Sequence, residues 1–219
     1  MKKQLLTSSL YLSVALFMST AALASPPVEI APKATSHIIL INHSDKELEN
    51  AKNFVTKIAD EGIGFLSNEN LTLEQRKKEF KKLLSKNFSM KTIARFALGR
   101  YWRAANKEQQ TEYLSLFEKM VLNVYARRFS EYSGEKLTVN SARPEGKRDI
   151  LVSSSISAAN GPEVQVDWRI RNKDGKSKVI DIIVEGVSMS LTQRSDFSSV
   201  IQRGGGDIEV LLKHLREQQ

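Results

Sequence analysis

Glu163-Val164-Gln165-Val166-Asp167-Trp168-Arg169-Ile170-Arg171-Asn172 alternates apolar and polar side chains without a break. A period of two puts Val164, Val166, Trp168 and Ile170 on one face of a strand and Gln165, Asp167, Arg169 and Arg171 on the other. The first face needs an apolar cover and the second meets water, so this is a half-buried strand of an antiparallel sheet. Leu137 to Ala142, Asp149 to Ser157 and Lys176 to Thr192 also read as strands. The turn formers Pro144-Glu145-Gly146, Asn160-Gly161-Pro162 and Asn172-Lys173-Asp174-Gly175 separate them. In the last strand Ile180, Ile182 and Val184 share one face, and Val179, Ile183 and Val187 the other. Cover on both sides is therefore expected for part of its length, with a bend or bulge at Gly186.

Upstream of these strands the apolar period is 3.6. Ser44-Asp45-Lys46-Glu47 is a capping box ahead of Leu48, Ala51, Val55, Ile58 and Phe65. A second box, Thr72 to Gln75, opens a helix with Phe80, Leu83, Leu84 and Phe88 inward and Arg76, Lys77, Lys78, Lys81, Lys82 and Lys86 outward. A short helix follows from Ser89 through Ile93 and Phe96 to Gly99. A third box, Asn106 to Gln109, opens the longest helix, 107–132, the expected cover of the sheet. Beyond the strands Ser195 is expected to cap a helix through Val200 and Ile201, which Gly204-Gly205-Gly206 breaks. Asp207 then starts an amphipathic helix with Ile208, Leu211, Leu212 and Leu215. Helices followed by a four-stranded antiparallel meander make an α+β domain, a helical N-terminal half packed on the sheet with C-terminal helices behind it.

The 219 residues, 41% hydrophobic and 26% charged, fit one folded domain. Absence of cysteine removes disulfides, thiolate nucleophiles and thiolate metal sites, and His37, His43 and His214 are too scattered for an imidazole site. Residues 1–24 read as a signal peptide: Lys2 and Lys3 lead into an apolar stretch that ends in Ala22-Leu23-Ala24, with cleavage expected after Ala24. The apolar stretch is shorter than the ~20 residues a bilayer span needs. The expected layout is thus a signal peptide at 1–24, a Pro/Ala-rich flexible arm at 25–43 and a single domain at 44–219, in an exported, periplasmic protein.

No G-x-S-x-G, H-E-x-x-H or phosphate-loop pattern is present. Gly204-Gly205-Gly206 could hold an anion at a helix start, but turning the backbone is the commoner use of such glycines. The lysine face of the second helix reads as a solvated surface, with attraction to an anionic membrane or an acidic protein left open. Nucleic acid is not an expected partner, because an exported protein meets little of it. Phe96, Tyr101, Trp102 and Trp168 could line a ligand cavity or fill an ordinary core. The residues thus describe an apolar-cored α+β protein with no catalytic signature.

Several segments together resemble one family. Met90 to Arg103, MKTIARFALGRYWR, is similar to a segment of the MlaC or toluene-tolerance family, the periplasmic phospholipid-binding components of ABC lipid-transport systems. Tyr125 to Gly134, Val166 to Arg169, Val179 to Met189 and Thr192 to Arg203 resemble further segments of it, in the same order and spacing over roughly residues 45 to 217. Ser89 stands where Asp is common and Gly204 where Asn is common; each substitute serves the same cap or turn.

The resemblance implies a fold of the nuclear-transport-factor-2 class, NTF2-like, with a curved sheet and helices around a deep apolar cavity. It also implies a phospholipid ligand, an outer-membrane lipoprotein complex and an inner-membrane ABC transporter with an MCE-domain protein as partners, and neither enzyme activity nor a cofactor. The expected lipid-binding residues are Val152, Val166, Trp168, Ile170 and Met189 on the sheet, facing Phe96, Tyr101, Trp102, Phe117, Val121 and Tyr125 from the helices. A charge at such a position, as in Val166→Asp, is expected to abolish lipid retention and leave the fold intact. Arg194 and Arg128 could pair structurally with Glu185 or Asp181 and are not assigned to the phosphate of the lipid. An NTF2-like enzyme would need a polar acid–base pair in the cavity, and a ligand-free adaptor would have a filled interior.

Overall fold

The computed structural model describes residues 43–157 and 161–218. The signal-peptide reading, nearly all of the arm, His37 and part of the Asn160-Gly161-Pro162 turn lie outside them. Helix α1 (Asp45–Leu66) starts where its capping box predicts: the Ser44 and Glu47 side chains each bond the other's backbone N–H. Boxes at Thr72–Gln75 and Asn106–Gln109 close in the same way ahead of α2 (Leu73–Asn87) and α5 (Lys107–Ala126). Between them lie α3 (Met90–Leu98) and the single turn α4 (Tyr101–Ala104). The longest helices differ from expectation, because α5 stops at Ala126 before a 3-10 turn at Phe129–Glu131 while α1 runs through Gly62 and Gly64.

Strands β1 (Lys136–Glu145), β2 (Asp149–Ser157), β3 (Val164–Lys173), β4 (Lys176–Val184) and β5 (Val187–Ser188) form an antiparallel meander in the order β1-β2-β3-β4-β5. The fifth strand exists because the chain reverses at Glu185 and Gly186, both at positive φ (49° and 78°), as a two-residue hairpin turn requires. Ser188 then accepts the Leu191 N–H and caps α6 (Met189–Arg203), which therefore begins well before the expected cap at Ser195. A last helix, α7 (Ile208–Glu217), opens at Asp207, whose carboxylate accepts the Glu209 N–H.

Two bulges shift the side-chain parity. One lies in β1 between Val139 and Ser141, the other opposite the Arg169/Ile170 step, where Ile180 is the extra residue of β4. Val179 pairs with Ile170, Ile182 with Trp168 and Val184 with Val166, so these three share a face, where strict alternation grouped Val179 with Ile183.

Apolar side chains collect in two clusters. One covers the inner face of the sheet: Ile150, Val152, Val166, Trp168, Ile170 and Val179 meet Ala51, Val55, Ile58 and Phe65 of α1, Leu83 of α2 and Ala126 at the end of α5. The cover of the sheet is therefore chiefly α1, not the long helix expected from the sequence. The other cluster is made by helices alone, from α3, α4, α5, α6 and α7. At its centre Tyr113 is fully buried and donates its hydroxyl to the Ala94 carbonyl at 2.8 Å. That bond removes the penalty of burying the hydroxyl unpaired. Ser89 N–H donates to the Val179 carbonyl at 2.9 Å and so fastens the α2–α3 junction to β4.

Candidate functional site

The inner sheet face carries its apolar residues in cross-strand rows. Val152, Trp168 and Ile182 lie in one row across β2, β3 and β4, and Ser154, Val166 and Val184 in the next. Within these rows the Trp168 indole N–H donates to Ser154 Oγ at 2.9 Å, and Ser154 donates in turn to the Val166 carbonyl at 2.8 Å. The polar end of the ring is satisfied inside the face, and its apolar body meets Phe88 with centroids 6.5 Å apart. Phe80 of α2 bridges onward to Tyr125 at 6.0 Å and to Phe129 at 5.3 Å, and Phe129 meets Phe65 of α1 edge-on. This aromatic chain lines the border of α2 and the end of α5. Phe54, Phe80, Phe88, Val164 and Ile182 remain partly uncovered there.

Of the expected lining residues, Val152, Val166, Trp168 and Ile170 lie side by side on this face and are buried. Tyr125 stands beside them through Phe80 and is 45% exposed. Desolvation raises its phenol above the ordinary value, opposed by the nearby Arg128 charge. The expected meeting with the other helical residues is corrected. Tyr101 and Phe117 are buried in the helix-only cluster, and Trp102 and Val121 pack against it. Phe96 is 43% exposed beneath the Arg194 guanidinium. Met189 is not on the sheet at all: the Glu185-Gly186 turn makes it the first residue of α6. Phe80, Phe88 and Ser154 join this face without belonging to the expected lining: Phe80 and Phe88 are on the inward helical face the spacing predicts, and Ser154 pairs with Val166 in the ladder, one row from Trp168.

Neither expected arginine pair forms. Asp181 accepts from Ser188 Oγ at 2.6 Å and from the Ser190 N–H at 3.1 Å, and Glu185 accepts the Gln165 N–H at 2.5 Å. The α2 lysine face is largely neutralised: Lys77, Lys82, Lys86 and Lys81 lie within 4 Å of Glu74, Glu79, Glu61 and Glu118. The solvated-surface reading of that face is the one the geometry supports. Gly205 and Gly206 take positive φ in the α6–α7 turn, and the Gly206 N–H bonds the Ile201 carbonyl, so the glycines turn the chain.

Cavities of about 160 and 450 Å³ open along α6, lined by residues of α6 and the α3–α4 junction. Among the described residues there is no metal-ligand cluster, and no helix is long and apolar enough to cross a membrane.

The family model described as MlaC protein matches residues 56–217. The toluene tolerance protein ttg2D of Pseudomonas putida is 26% identical over 110 residues, which cover 50% of this chain and 51% of that protein. The intermembrane phospholipid transport system binding protein MlaC of Haemophilus influenzae is 27% identical over 114 residues, 50% of this chain and 53% of that one. The chain thus spans about half the length of the curated relatives it matches. A phospholipid-binding protein from Ralstonia solanacearum, solved in complex with a phospholipid, superimposes with a TM-score of 0.67 at 23% identity, over 77% of this chain and 96% of that one. Its likeness shows the same α+β fold. With a family model matched from the middle of α1 to the last turn of α7, the chain belongs to the MlaC family.

Proposed function

We propose that this protein is a periplasmic phospholipid carrier, with acyl chains held between the inner sheet face, α1, α2 and the end of α5. The observation that supports this reading is Tyr125, which packs against Phe80 and is 45% exposed while desolvation raises its phenol above the ordinary value. Both hold together for a side chain in the wall of a concave, apolar recess. Val152, Val166, Trp168 and Ile170 would form the floor of that recess and Phe80, Phe88 and Tyr125 its rim. The R. solanacearum protein, of the same fold, holds a phospholipid.

The physical need is plain. Exposing one methylene to water costs ~0.8 kcal/mol, so a two-chain lipid with ~30 of them faces a cost on the order of 20 kcal/mol. A soluble carrier with a dry recess removes most of that cost, and its affinity must stay low enough to allow handover. Acyl chains make no directional bonds, so such a site needs no catalytic motif. In this reading the chain loses residues 1–24 on export and exchanges lipid with an outer-membrane lipoprotein complex and an inner-membrane ABC transporter bearing MCE domains. Purification without detergent, solvent extraction and mass spectrometry test it. About one phospholipid per chain is expected, and lipid-free protein that takes up none from vesicles would point to a ligand-free adaptor.

A further inference from the structure

We propose that the pocket between the α3–α4 junction and α6 is a second binding site, which takes the phosphate group of a phosphate ester through Arg100 and Arg194. The 160 Å³ cavity is lined by Leu98, Gly99, Arg100, Tyr101, Arg194, Ser198 and Gln202, with no residue from the sheet. It is therefore separate from the proposed acyl-chain recess.

Four features fit an oxyanion. Neither guanidinium is ion-paired among the described residues, and each lies over an aromatic ring, Arg194 over Phe96 at 5.3 Å and Arg100 over Tyr101 at 4.9 Å. Stacking fixes the plane of each fork and leaves N–H donors free to meet an incoming acceptor. Arg100 also donates to the Tyr101 hydroxyl at 2.9 Å, which keeps that oxygen at the pocket wall with Ser198 and Gln202 facing it from α6. Gly99 completes the fit. At φ +60° it takes a conformation side chains avoid, and a Cβ there would lie 2.9 Å from Arg194 Nε, so Gly99 leaves the Arg194 side chain room along this junction.

The acidic residue of α6 nearest in sequence, Asp196, is two positions from both Arg194 and Ser198. Residues two apart on a helix do not share a face, so its charge is directed away from the pocket. The result is a cavity with two positive forks, a phenol, a hydroxyl and an amide, and no carboxylate in its lining. A tetrahedral oxyanion can accept from the α4 side and the α6 side at once; a planar carboxylate reaches fewer of these donors. The pocket continues into the 450 Å³ groove lined by Leu191, Ser195 and Ser199, and Leu191 is 56% exposed there. That groove gives the organic part of an ester a partly apolar bed.

The phosphate ester is either soluble or the headgroup of a membrane lipid, and one experiment separates them. Amide and arginine side-chain NMR signals of the full chain are followed on addition of inorganic phosphate, glycerol 3-phosphate or acetate. Flotation is measured with phosphatidylcholine vesicles, with and without phosphatidylglycerol. Saturable shifts at Gly99, Ser198 and Gln202 with the two phosphates, about tenfold weaker in Arg100→Gln and Arg194→Gln, establish the soluble source. Flotation that needs phosphatidylglycerol and is lost in both variants establishes the lipid source. Acetate binding as tightly as phosphate, an equal loss in the surface variant Lys213→Gln, or no response in either arm overturns the site. The acyl-chain reading is scored separately, by lipid extracted from the same two variants, which should be unchanged.

Discussion

Trp168 and Ser154 are joined across the β2–β3 ladder by an indole N–H to hydroxyl bond of 2.9 Å, on the face that α1 covers. The large ring on the floor of the proposed recess is thus anchored at its polar end by Ser154, a polar residue among apolar neighbours on that face. Ser154→Ala leaves the indole N–H buried without its partner. A loss of about 1–3 kcal/mol in unfolding free energy is expected, read from the urea midpoint. An unchanged midpoint would mean that the indole finds another acceptor.

Val166 and Tyr125 predict different outcomes for the same substitution. Val166 is buried within the sheet cluster, so Val166→Asp puts an unpaired carboxylate in a dry core and the chain should fail to fold stably, contrary to the sequence-based expectation. Tyr125 is accessible, so Tyr125→Asp should fold with a normal circular dichroism spectrum and carry several-fold less lipid after detergent-free purification. Full lipid content in a folded Tyr125→Asp would remove Tyr125 from the recess wall.

Acid should weaken the fold through carboxylates held below their ordinary value, Glu112 and Glu47 among them. Hydrogen bonds from Arg216 hold Glu112 below its ordinary value of 4.5, and those from Ser44 do the same for Glu47. A depressed folded value means stabilisation that is complete above the unfolded value and lost as pH falls through the folded one. Glu112→Gln removes one of these contributions. Its denaturation midpoint should therefore fall less steeply than that of the parent chain below about pH 4.5. Parallel curves would show that the Arg216 contact adds no pH-dependent stability.

Gly204 faces Val210 so closely that an added Cβ would lie 2.5 Å from its Cγ2 atom. Gly204→Ala should cost about 1–3 kcal/mol by overpacking the α6–α7 turn. The double change Gly204→Ala with Val210→Ala should recover only part of that loss in thermal unfolding, because the Val210 Cβ itself would still lie 2.8 Å from the added one. No recovery at all would show that the two γ-methyl groups are not the source of the cost.

What could be read from the chain was whatever its chemistry decides within a few residues. The boxes at Ser44, Thr72 and Asn106, the cap at Asp207 and the alternation of β3 all form as written. Ile180 shows where local reading ends: a bulge is set by the partner strand, and one unpaired residue reverses the parity of everything on one side of it. Met189 falls off the sheet because apolar residues recur on both sides of the Glu185-Gly186 hairpin, whose tightness depends on two positive φ values that spacing does not reveal. The aromatics of α3, α4 and α5 cannot be separated from those of the sheet by sequence, because hydrophobicity gives a side chain a need for cover without saying which partner supplies it. Phe117 and Trp168 are alike in that need and lie in different clusters.

That division has a mechanical consequence. A cargo that pries apart α1, α2 and the sheet strains one oily compartment, while the second, knotted around Tyr113, keeps its shape as a chassis. Amides of α7 and of α5 as far as Phe117 should then exchange with deuterium at the same slow rate whether the hold is loaded or empty, with the change confined to α1, α2, the end of α5 and the strands.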